Sequence, residues 1–413
     1  MYEPDEAVFP FTLDSPPRKV GRGLIFILGA LTVIGPFAID MYLPALPEIG
    51  RELNVSEGRV QLTISVFLLG LAAGQACLGP MVDRWGRRVP LLAGLAVFVV
   101  AAVGCACADS MGGLLIWRLV MALGASSCTV VPRAVVRDLF NERDSAKMYS
   151  WLMLILGVSP IFAPSVGGQL IGLTGWRGIF WVLAGLGVAC AASAAVALPG
   201  APARRGGNGG GVGRALRNYW LLLRDRRFFG AVLVAGFMMG TIFTYLTGSA
   251  FVFIELHGLT PQQYALAFGF NGLGLIVASQ TNRWLVGRYP VRRVMAAALV
   301  GSVTAGLLLL IASAAGWGGL PGLIVPLFLN LAAAGMIMPN IAAIAMAPFG
   351  EIAGSASALL GTIQFGMGAA AGTLVGFFHN GTAIPMTAGM ALCALASLTA
   401  WRTLGRSGTR TDG

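Results

Sequence analysis

The chain has 413 residues, of which 56% are hydrophobic and only 11% charged. Soluble domains carry roughly 25% charged residues, so this composition excludes a soluble globular protein. The formal net charge is +11, but the basic residues stand in short loops between apolar runs. They read as topology signals and exclude a phosphate-tracking nucleic-acid surface.

The first 22 residues hold Glu3, Asp5, Glu6, Asp14 and four prolines ahead of Arg18, Lys19 and Arg22. That is no cleavable signal peptide; it predicts a cytoplasmic tail leading into a retained helix. A membrane-crossing helix needs roughly 20 apolar residues. Twelve such spans follow, at 23–46, 60–82, 90–108, 113–136, 147–172, 177–199, 228–254, 263–286, 292–314, 320–347, 353–378 and 383–403. Most connections are very short. The exception is 200–227, glycine-rich and then basic, which predicts a flexible cytoplasmic linker. The predicted fold class is therefore an all-α membrane protein: six-helix bundles at 23–199 and 228–403, joined by the linker, with a cytoplasmic tail at 404–413.

Of the 28 Lys and Arg, 23 fall in the tails, the linker and the loops on that same face; Arg51, Arg59 and Arg177 fall on the other. The bias predicts both termini in the cytoplasm. The densest loop runs Gly79-Pro80-Met81-Val82-Asp83-Arg84-Trp85-Gly86-Arg87-Arg88. Asn282-Arg283-Trp284-Leu285-Val286-Gly287-Arg288 occupies the same place in the second half and reads as its decayed copy, with asparagine in place of Asp83. Paired halves of this kind enclose a central cavity and rock about it.

Seventeen acids are present, and all but one lie in tails, loops or span ends. Asp40 lies inside span 1, in Ile39-Asp40-Met41-Tyr42-Leu43-Pro44. A carboxylate there is costly unless it meets a wet cavity or a partner. Under the opposing influences of burial and a nearby cation, such an acid loads and releases a proton near neutral pH. Arg118 in span 4 is the matching cation: span 4 runs opposite to span 1, so the two should lie at similar depths and form an ion pair, direct or through water. The alternatives are a helix brace at Asp40 and an Arg118 that snorkels outward. In span 5, Pro160 and Pro164 lie a turn apart and precede Gly167 and Gly168, which predicts a kinked helix closely approached by a neighbour. On span 7, Phe237, Thr241 and Tyr245 share one side, with Met238 beside them. With Tyr42, Asn271, Asn330 and Gln364 they are the candidate cavity lining. The six cysteines are expected to pack in the core, and His257 and His379 to sit at the surface. No cofactor or metal set is evident.

The 79–88 loop resembles that joining the second and third helices of major facilitator superfamily transporters, and the span 5 segment resembles the antiporter motif of drug exporters, with Ser159 and Ala163 where glycines are usual. Ala38–Pro47, Arg133-Ala134-Val135-Val136-Arg137-Asp138, Gly175-Trp176-Arg177 and Gly248–Val252 are similar to the Bcr/CflA drug-resistance transporters. The resemblance implies the major facilitator fold, with Gly79, Asp83, Arg84, Gly86, Arg87, Arg88 and Asp138 as a gating latch: Asp83 against the start of span 11 and Arg87 against Asp138. It implies Asp40 and Arg118 as the proton-coupling pair. It implies a monomer in the bacterial inner (plasma) membrane whose partners are the lipid bilayer, protons and a small hydrophobic drug. An endogenous metabolite is the alternative substrate. Thr32 stands where related exporters often carry a second acid, so one-proton exchange is expected.

Overall fold

The computed structural model describes residues 22–139, 142–197 and 212–404; the side chains of Asp83, Arg84, Arg133, Arg137 and Asp138 are among those outside the description. Every element among the described residues is helical. The first half comprises α1 (Arg22–Asp40), a 3-10 turn (Leu43–Ala45), α2 (Leu46–Glu52), α3 (Glu57–Trp85), α4 (Arg88–Ala106), α5 (Met111–Leu139) and α6 (Glu142–Ala197). The second comprises α8 (Arg226–Ala250), α9 (Pro261–Val286), α10 (Val291–Ala315), α11 (Gly319–Met346), α12 (Ala353–Phe377) and α13 (Ile384–Leu404), with α7 (Val212–Arg224) between the halves. Ten stretches are long and apolar enough to cross a membrane. One of them, Ser159–Val196, has 38 residues, and the chain reverses inside it at Gly175, whose φ of +68° suits a residue without a Cβ. Counting α9, which is long enough but more polar than those ten stretches, the described residues make twelve crossings.

Three predicted boundaries differ in instructive ways. Span 1 is not one helix: α1 stops at Asp40. Pro44 has no N–H to give the Asp40 carbonyl and its ring clashes one turn back, so the chain passes through a turn before restarting at Leu46. Spans 5 and 6 run together except at Gly175. Finally, half of the expected flexible linker is helix α7, which buries Leu222 against the second bundle.

Two apolar clusters hold the molecule together. The larger takes in the first bundle and runs into the second at Phe243–Phe253 of α8 and its continuation, and at Tyr264 and Phe268 of α9. The smaller belongs to the second bundle alone, around Phe228–Met238, Met295, Leu299 and Ile337. The halves therefore share a core at the end remote from the 79–88 loop. Cys105, Cys128 and Cys190 are buried as expected, but Cys77 and Cys107 are exposed, on a flank of α3 and at the end of α4.

Candidate functional site

Asp40 and Arg118 are both brought inside, 6% and 0% exposed, yet they do not bond each other directly. Where α1 ends, Tyr42 N turns to the Ile39 carbonyl, and Arg118 Nη1 donates to the Ala38 carbonyl at 2.8 Å. A cation at the end of a helix satisfies its last carbonyls and complements its dipole. The guanidinium is stacked between the Tyr42 ring at 4.4 Å and the Phe67 ring at 4.3 Å. Such contacts are worth about 2 kcal/mol or more when desolvated. Arg118 thus neither snorkels nor closes a direct ion pair; it pins the turn two residues before Asp40. Its Nε and Nη2 have no hydrogen-bond partner.

Asp40 makes no hydrogen bond or ion pair with any described residue. It lies close enough to Tyr245 and Tyr264, across the junction in the second half, to interact with both electrostatically. Those hydroxyls belong to a small polar wall. Asn271 Nδ2 donates to Tyr245 Oη at 3.1 Å, and Ser249 Oγ and Tyr264 Oη lie 2.8 Å apart. Phe268 stacks on Tyr245 at 5.3 Å. Sequence reading had singled out Tyr245 and Asn271 but missed Tyr264 and Phe268. The signal was available: Tyr264, Phe268 and Asn271 recur at i, i+4 and i+7 of α9, one face of a helix. Asn271 Oδ1 stays unpartnered and buried.

The predicted span 5 motif lies across α9. Pro160 and Ile161 pack against Gly272 and Gly269, and Gln262 Nε2 donates to the Gly168 carbonyl at 3.0 Å. Gly167 lies against the Met41 backbone, directly after Asp40; Pro164 is buried. On the other side of the junction, Gly58 of α3 meets Gly376 of α12 backbone to backbone. His379, expected at the surface, is half-buried here: its ring meets Phe251 at 4.4 Å and its Nε2 lies 3.7 Å from Glu57 Oε2. That spacing would favour the imidazolium, but burial outweighs it and holds the His379 pKa below its ordinary value. These contacts close the bundle at the end remote from the 79–88 loop.

Several predicted lining residues point elsewhere. Tyr42 is fully buried in the first half, its hydroxyl 2.9 Å from Thr63 Oγ1. Met238 is packed in the second half's own core. Asn330 spends its amide on Ser302, at 2.8 Å to the carbonyl, bridging α11 to α10. Thr241 is buried and turns back to the Phe237 carbonyl at 3.3 Å, while Phe237 and Gln364 are partly exposed. In the basic loop, Gly86 takes φ +78°, Arg87 Nη1 donates to the Val82 carbonyl at 2.9 Å, and Arg88 Nη2 reaches Ala195 O at 2.7 Å. The expected contacts of Asp83 with the start of α12, and of Arg87 with Asp138, fall on residues outside the description, as do Gly79 and the Arg84 side chain. Among the described residues no three His, Cys, Asp or Glu side chains converge as a metal set would.

A family model for the Major Facilitator Superfamily matches residues 28–373. The chain is 34% identical over 389 residues, covering 93% of itself and 95% of the relative, to the uncharacterized MFS-type transporter YdgK of Bacillus subtilis. It is 29% identical to a bicyclomycin resistance protein homolog of Haemophilus influenzae, covering 91% and 94%, and 30% identical to the multidrug resistance protein MdtL of Escherichia coli, covering 81% and 83%. Among solved structures, the xylose transporter XylE of E. coli superposes with a TM-score of 0.73 at 13% identity, over 93% of this chain and 97% of that one. A bacterial homolog of the human lysosomal transporter Spinster gives 0.68 at 16%, over 95% and 96%. Twelve crossings in two bundles, a buried acid where the bundles meet, and these matches converge: the chain is a multi-pass membrane protein belonging to the Major Facilitator Superfamily of transporters, with relatives of the Bcr/CflA drug-resistance type.

Proposed function

We propose that this transporter exports small hydrophobic antibiotics in exchange for protons, one proton per cycle, with Asp40 as the carrier. It does so as a monomer in the bacterial inner membrane, with both termini cytoplasmic. The observation that carries the reading is Asp40 itself, nearly buried, without a polar partner, at the level where the first half faces the hydroxyl wall of the second. A buried carboxyl with no ion pair holds a proton readily, and one that meets hydroxyl donors or water when the halves rock releases it. Arg118 supports this by fixing the turn that presents Asp40. The drug-resistance names of two relatives supply the substrate class. The wall offers aromatic faces and hydroxyls and no fixed second charge, which suits neutral or weakly charged compounds.

The energetics agree. One charge moved through the membrane field is worth about 2.3 kcal/mol per 100 mV, enough for a roughly forty-fold gradient of a neutral drug. The test is drug-induced proton release in proteoliposomes, wild type beside Asp40→Asn, with chloramphenicol and bicyclomycin in the panel. Proton release with one compound, abolished by the asparagine, supports the reading. Persistent coupling in the variant moves the carrier elsewhere, and silence from wild type across the panel removes the drug assignment.

A further inference from the structure

We infer that α7, the helix between the two bundles, is a binding site for anionic phospholipid of the membrane that the protein spans. The proposal is independent of substrate and of proton coupling. One face of α7 is docked: Leu222 is fully buried, and Asn218 Nδ2 donates to Ser355 Oγ at 3.2 Å in the first turn of α12. The neighbouring side is apolar and open. Leu216, Trp220 and Leu223, at i, i+4 and i+7, are 61%, 57% and 38% exposed. Arg217 and Arg224 border that stripe, both exposed, and the Arg224 guanidinium lies 4.7 Å from the Trp220 ring.

Connectivity fixes where this surface is. One residue, Asp225, separates the end of α7 from the start of the crossing helix α8, so the stripe ends at the bilayer surface. Arg226 and Arg227 follow, exposed. Asp225 is the only acid among these residues, and its Oδ1 is engaged in capping α8, accepting from Arg227 N at 2.8 Å and Phe228 N at 2.9 Å.

An apolar stripe bordered by cations, lying along the surface of a membrane-spanning bundle, is how an interfacial helix sits among headgroups and upper acyl chains. The acyl chains cover Leu216, Trp220 and Leu223. Among the described residues the one carboxylate beside these four guanidiniums is Asp225, held in the α8 cap, so the cluster keeps a net positive charge that selects the headgroup: each guanidinium presents a fork that fits a phosphate, and only a lipid of net negative charge balances the set. A zwitterionic lipid covers the stripe and leaves the arginines uncompensated. Through the Asn218–Ser355 bond, a lipid held here also braces the start of α12, the helix that packs on α3 of the other half.

The experiment is native mass spectrometry of the purified full-length protein, titrated with palmitoyl-oleoyl phosphatidylglycerol and, separately, with the phosphatidylcholine of the same chains. Wild type is expected to hold phosphatidylglycerol about tenfold more tightly. Arg217→Gln/Arg224→Gln/Arg226→Gln/Arg227→Gln removes that preference; the Arg217→Gln/Arg224→Gln pair alone, on the outer side of α7, reduces it and serves if the quadruple variant does not fold. Arg292→Gln/Arg293→Gln, exposed in the first turn of α10, keeps it. Trp220→Ser weakens both lipids alike. Equal binding of the two lipids by wild type, a preference that survives the α7 substitutions, equal loss in the Arg292/Arg293 control, or no effect of Trp220→Ser each overturns the proposal.

Discussion

The closure between Gly58 and Gly376 sets up a perturbation whose size follows from the backbone. A Cβ added at Gly376 would stand 2.9 Å from the Gly58 carbonyl oxygen, where ordinary contact begins near 3.4 Å. A Cβ added at Gly58 meets the Gly376 carbonyl more closely still, and backbone cannot swing aside as a side chain does. Gly58→Ala therefore requires α3 and α12 to separate, and overpacking of this kind costs about 1–3 kcal/mol. At 1.4 kcal/mol per tenfold, the ratio of closed to open molecules at this end falls by roughly five- to 150-fold. Gly376→Ala acts in the same direction with less force. Pulsed electron–electron resonance between spin labels on cysteines at Arg51 and Thr382, both exposed at this end and on opposite halves, reads the populations directly in a background free of the native cysteines. A longer-distance population that grows in Gly58→Ala, and less in Gly376→Ala, is expected. A folded Gly58→Ala protein with the parent's distance distribution would refute the reasoning.

Two further predictions use the same geometry. Arg118→Met fills the aromatic slot with a chain of similar length and relieves the burial of a charge, which by itself is often neutral or stabilising; it gives up the Ala38 bond. The expected outcome is a thermal midpoint close to wild type with drug-coupled proton release reduced at least about tenfold; full coupling in the variant removes Arg118 from the mechanism. His379 gives a pH dependence of known sign. Its pKa is held below the ordinary value by burial, so the folded state binds fewer protons than the unfolded one. Its contribution to stability is intact above about pH 6.5, and is lost as pH falls from there toward the lowered pKa. His379→Gln is expected to flatten this part of the thermal-midpoint profile between pH 7.5 and 5; coincident profiles contradict it.

The crossings were legible because a bilayer imposes a length on apolar runs, and Asp40 and Arg118 because a charge inside such a run is rare and conspicuous. The partner of Arg118 was not legible. It depends on a carbonyl freed where α1 ends, and that ending is a three-dimensional outcome of Pro44 acting one turn back on Asp40. Helix α7 was hidden because its sequence mixes glycine and arginine with leucine, and its helical period makes sense only once Leu222 has a core to enter. Asn330 shows the opposite failure. An amide in a crossing helix looks like a cavity contact from sequence, whereas the ordinary use, bonding to the next helix, prevailed.

The asparagine at 282, where the first half has Asp83, gains meaning from its bonds. Asn282 Nδ2 donates to Asn340 Oδ1 at 3.2 Å and Asn340 Nδ2 returns a bond to Asn282 Oδ1 at 2.7 Å, with both side chains buried. The pair ties α9 to α11 within the second half and needs no charge, so no change of protonation loosens it. A carboxylate at 282 would accept from one amide and pay the desolvation of an ion for the same clamp. In the proposed cycle the two halves therefore carry different duties. The first holds Asp40 and Arg118, the buried ionic groups that a proton can perturb. The second offers a hydroxyl wall on α8 and α9, set on a body locked by neutral hydrogen bonds, so that a change of charge at Asp40 is felt at the junction between the halves and not dissipated inside one of them.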